Sequence, residues 1–107
     1  MAGTGLPRGN IKDCNIYALT LTPTSVAPNT AAEQTFTFTG LVTTDWVVLI
    51  KPTAQAGLGI VGSRCSASNT LAITFGNFTS ATITPTAAEI YTMLKMGSAY
   101  QPLQTAI

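Results

Sequence analysis

The side chains able to do chemistry are few, and they are scattered. Histidine is absent, the acids are Asp13, Glu33, Asp45 and Glu89, and the only thiols are Cys14 and Cys65. A serine or cysteine nucleophile needs a base beside it, and without histidine only Lys12 stands near Cys14 to serve as one. Paired carboxylates of the glycosidase kind would have to be drawn from four acids that sit at strand ends, where such residues are solvated or form turns. A zinc site would need two ligands beyond the two cysteines, which have no ligand spacing. The cysteines read as two free thiols. The expectation from these residues is no enzyme, no metal and no cofactor.

Gly57, Gly59 and Gly62 do spell G-x-G-x-x-G, the pattern that lets a backbone approach a pyrophosphate at a helix N-terminus. Ser63-Arg64-Cys65 and another β-type segment follow it, with no helix and no acid about 20 residues on. A glycine-rich loop running into a bulged strand accounts for the same residues. Asn77-Phe78-Thr79 matches a glycosylation acceptor. Met1–Lys12 carries no apolar stretch of the signal-peptide kind, so no export is expected and the match reads as chance.

The elements that must position these residues read as all-β. The chain has 107 residues, enough for one domain. Only 8% are charged against 46% hydrophobic, so threonine, serine, asparagine and glutamine must supply the solvated surface. A formal net charge of +1 gives no field for a polyanion, which excludes nucleic-acid binding as an expectation. No run approaches the roughly 18 apolar residues of a membrane span, and no membrane association is expected.

Short segments rich in Thr, Val, Ile and aromatics, bounded by Pro, Gly, Asn or Asp, predict strands near 16–22, 34–39, 46–51, 59–66, 70–76 and 89–95. A weak seventh falls near Ser80–Thr84, and 89–95 also admits a short helix. Residues 1–15 read as an extended arm, 16–96 as the sandwich and 97–107 as a tail. Strict alternation puts Phe36 and Phe38 on one face and Thr35, Thr37 and Thr39 on the other. Leu71, Ile73 and Phe75 oppose Ala72 and Thr74, and Ser68-Asn69 is turn chemistry joining 59–66 to 70–76 as a hairpin. Trp46–Ile50 is apolar on both faces, as in a central strand covered twice or a strand whose outer face meets a partner. Trp46 itself reads first as a core anchor and otherwise as an interface hot spot. Arg64 is either a solvated strand-face arginine or an interface group whose forked donors suit pairing.

Val47–Arg64, with its Lys51-Pro52-Thr53-Ala54-Gln55-Ala56-Gly57-Leu58-Gly59-Ile60, and Ser68–Asn77, with Thr70-Leu71-Ala72-Ile73-Thr74-Phe75-Gly76-Asn77, resemble small virion proteins of tailed bacteriophages. The similarity spans roughly 16–95. It implies a small immunoglobulin-like β-sandwich of about six or seven antiparallel strands with extended N- and C-terminal arms. The implied role is a capsid decoration, or cement, protein on the outer surface of the particle, made in the host cytoplasm. Its implied partners are the major capsid protein and further copies of itself, as a dimer or trimer. On that reading Arg8 and Lys12 in the arm, with Trp46, Arg64, Tyr91 and Tyr100, are the expected interface residues. The competing expectation is a tail or fibre adhesin module that binds a host surface glycan.

Overall fold

The structure, a computed structural model, describes residues 11–98. Six strands form in chain order: β1 (Ile11–Leu21), β2 (Thr30–Thr37), β3 (Trp46–Ile50), β4 (Leu58–Ala67), β5 (Thr70–Asn77) and β6 (Glu89–Ser98). All pairings are antiparallel, in two three-stranded sheets ordered β1-β6-β3 and β2-β5-β4. Packed face to face they make the small sandwich that the segment pattern predicts.

The inner faces follow from the alternation. Val47 and Leu49 of β3, Tyr91 and Met93 of β6, and Leu71, Ile73 and Phe75 of β5 close the core, with Val26, Leu41 and Cys65 completing it. Tyr17 and Phe38 meet edge to face at 5.1 Å between ring centroids, inside the range favoured by aromatic pairs. The Ser63 hydroxyl donates to the Val47 carbonyl at 2.9 Å and ties β4 to β3 across the two sheets. Ala67 pairs with Thr70, so β4 and β5 form the expected hairpin with Ser68-Asn69 at its tip. Asn69 takes the left-handed conformation (φ 61) that asparagine tolerates better than other side chains. Its Oδ1 accepts from the Gly40 N–H at 2.7 Å and anchors the β2–β3 connection.

Four expectations are corrected. β1 begins at Ile11 and takes in 11–15, which the sequence assigns to the arm; these residues pair with Lys95–Ser98, and that pairing outweighs their weak local pattern. β6 is the strand expected at 89–95, not the short helix also admitted there, but it runs to Ser98, past the expected end of the sandwich. Residues 80–84 contribute no strand, only an isolated bridge in which Val26 and Ile83 exchange hydrogen bonds of 2.8 and 3.1 Å. Finally, β3 lies at a sheet edge. The central strands are β5 and β6, and β3 is covered on one face only, with Val47 and Leu49 buried and Trp46, Val48 and Ile50 exposed.

Candidate interaction surface

The outer face of β1-β6-β3 is built by the residues that alternate with the core positions. Register places Cys14, Met96 and Trp46 in one row across the three strands, and Ile16, Leu94 and Val48 in the next. Ala18, Thr92 and Ile50 form a third row, and Thr20 with Ile90 a fourth. Ile16 is 73% exposed, Ile50 63%, Trp46 61%, Ile90 58% and Val48 41%. Apart from two threonines the rows are apolar, and no Asp, Glu, Lys or Arg stands in them. A monomer rarely exposes so large a contiguous apolar area without a partner for it.

The charges sit elsewhere and are spent on one another. At one end of this sheet Lys95 lies 3.7 Å from Asp13 and 3.5 Å from Asp45. Asp13 also accepts from the Gly97 N–H at 2.9 Å, and Asp45 from the Val42 N–H at 3.0 Å. At the other end Lys51 pairs with Glu89 at 2.9 Å, and the Thr53 hydroxyl donates to the second Glu89 oxygen. The Thr53 and Lys51 hydrogen bonds hold the Glu89 carboxyl below its ordinary range against the opposing cost of burial. On the opposite sheet Arg64 grips both oxygens of Glu33, at 2.8 and 2.9 Å. That fork lowers the Glu33 carboxyl and raises the guanidinium. The pair reaches across β5 on the side of Ala72 and Thr74.

The expected interface residues divide accordingly. Trp46 is on the apolar face and not in the core, which overturns its reading as a core anchor. Tyr91 is fully buried on the inner face and presents nothing to a partner, a second correction. Its enclosed hydroxyl has no hydrogen-bond partner, and burial, with the Glu89 charge as the smaller cause, pushes it up to about 12. Arg64 is exposed but engaged by Glu33. Lys12 is exposed on β1. Arg8 and Tyr100 lie outside the described residues. Sequence reasoning missed Ile16, Ile90, Leu94 and Met96; the signal available was that β1 and β6, like β3, carry apolar residues at both parities.

The cysteines lie apart, Cys14 exposed on the apolar face and Cys65 in the core, both as free thiols. The glycine motif becomes a bulge, since the register of β4 against β5 shifts between Ile60 and Gly62. Asn77 is buried, and its amide nitrogen donates to the Val26 and Ala81 carbonyls, so the folded acceptor pattern is closed to modification. Among the described residues no three His, Cys, Asp or Glu side chains cluster as a metal site would require. No protein-family model, curated protein or solved structure matches the chain.

Proposed function

We propose that this chain is a structural component of a tailed-phage particle, a decoration protein that binds over joints between major capsid subunits and stabilises the head. The observation that carries this reading is the charge-free apolar face of β1-β6-β3 on a small, rigid sandwich. Such a face suits permanent contact in an assembly more than reversible recognition of a charged ligand. The resemblance of Val47–Arg64 and Ser68–Asn77 to virion proteins supports the same reading. The ionisable groups of the described residues add support, because each of the four acids is committed to a base of the chain itself. On a lattice, many copies with modest contacts hold through effective concentration.

One observation favours the adhesin reading. A shallow pocket of about 250 Å³ is lined by Asn29, Thr30, Ala31, Asn77 and Phe78, with the exposed Phe78 ring beside polar groups as in a sugar platform. The Asn77 amide is already saturated, and the Thr30 hydroxyl donates to the Pro28 carbonyl, which leaves few groups to select a glycan.

Co-sedimentation with heads and, separately, tails of a phage carrying this gene tests the choice. Saturable binding to heads, weakened by deleting residues 1–10, is the expected result; deletion beyond residue 10 would remove part of β1 and is avoided. Binding to tails alone, or to neither, would overturn the capsid reading.

A further inference from the structure

We infer that the outer face of β1-β6-β3 is a self-association surface, covered by the same face of a second copy about a two-fold axis. This deepens the structural reading above, on whose lattice neighbouring copies meet, and names the surface by which they do so.

Area is the first argument. Ile16, Trp46, Val48, Ile50 and Ile90, at their observed exposures, offer on the order of 600 Å² if a large side chain presents roughly 200 Å². Leu94, Met96 and Cys14 bring the face toward the ~800 Å² per partner of a standard stable interface.

Symmetry is the second. An isologous contact sets a patch against itself, so a charge on the axis meets its own copy and a charge off the axis needs an opposite charge in the same patch to meet it. This face has none, and the chain's formal net charge of +1 adds little repulsion between copies. A partner of different sequence would be selected by complementary charges at the rim. Here the acids nearest the face, Asp13, Asp45 and Glu89, are committed to Lys95 and Lys51.

Shape is the third. A twisted three-stranded sheet packs on another with its strands about 30° off parallel, the arrangement open to two antiparallel sheets in any sandwich. The dimer would then be a four-layer stack of sheets in which the two β1-β6-β3 sheets are the inner pair.

The experiment is sedimentation of the full chain over a hundredfold concentration range, alongside Val48→Glu and Ile50→Glu. Each variant places two carboxylates in the proposed interface without touching the core. The unsubstituted chain should reach a dimer, and both variants should associate at least about a hundredfold more weakly with unchanged far-ultraviolet dichroism. Should either variant unfold, Cys14 alkylation in the unsubstituted chain decides. The exposed thiol should react several-fold more slowly as concentration rises, whereas Cys65 in the core stays slow throughout.

A chain that stays monomeric overturns the inference. So does a dimer indifferent to both substitutions, which would place the contact elsewhere. A Cys14 thiol protected equally at every concentration would mean that the chain's own terminal segment covers the face, and would also overturn it. No phage particle is present in this assay, so it and the head-binding experiment fail separately.

Discussion

Asn77 is the most heavily committed polar side chain of the described residues. Its amide nitrogen donates to the Val26 and Ala81 carbonyls at 3.0 and 2.8 Å, and its Oδ1 accepts from the Thr79 N–H and hydroxyl at 2.9 and 2.8 Å. It thereby fixes the loop after β5 to the segment between β1 and β2. Asn77→Ala leaves the Thr79 N–H without a partner and strips the Val26 and Ala81 carbonyls of one of their two donors each, and should cost about 1–3 kcal/mol in urea unfolding. Asn77→Asp should cost at least as much although it is nearly isosteric, because a carboxylate would face two carbonyl oxygens. Tyr91 is the opposite case, a buried hydroxyl with nothing to bond. Tyr91→Phe removes that cost and should leave stability unchanged or raise it by up to about 1 kcal/mol. The same variant tests the titration. A phenol raised in the folded state stabilises fully below its unfolded value near 10 and loses that contribution as pH rises to about 12. Unfolding midpoints measured through this interval should fall for the parent and flatten for Tyr91→Phe.

At the scale of the element, the turn entering β4 rests on a glycine for two separable reasons. Gly57 has φ +79, and a Cβ there would run into the Thr79 methyl. Gly40 has φ +97 but open space around it. Gly40→Ala should therefore cost only the backbone strain, about 1–2 kcal/mol, and Gly57→Ala measurably more, the difference in thermal midpoints reporting the clash. Neither distinction is visible in the glycine motif as written, although its departure from a nucleotide loop is, since no helix follows. Elements whose faces differ strongly in polarity were legible: Phe36 and Phe38 against their flanking threonines, and Leu71, Ile73 and Phe75 in β5. Elements apolar at both parities were not, because alternation then cannot say which face is inside. That is why Trp46 reads as core from its type yet stands on the outer face, while Tyr91 reads as surface and is buried. Ile11–Asn15 carries no pattern at all and becomes strand only through its pairing with β6.

For the whole molecule, two kinds of surface follow from one shortage of charge. Lys51, Arg64 and Lys95 take up all four acids, three pairings at the ends of β1-β6-β3 and one across the opposite sheet, and the outer apolar face receives none. Folding and association should accordingly respond to different variables. Glu33 and Glu89 have carboxyls lowered below 4.5 by their partners, so their stabilisation is complete above that value and lost as pH falls through their folded values. Protonating the carboxylates also leaves five Lys and Arg side chains unopposed. Unfolding midpoints should be flat from pH 7 to about 5 and decline below it. Glu89→Gln should lessen that decline more than Glu33→Gln, whose pair is the more exposed to solvent screening. The two-fold contact has no ion pair to screen. Its dissociation constant should change less than about threefold between 50 mM and 500 mM salt, with a negative heat-capacity change from apolar burial in calorimetry. A steep weakening with salt would place charged groups in the contact, and the face that joins two copies would then have to be sought around Lys12 and the Arg64–Glu33 pair.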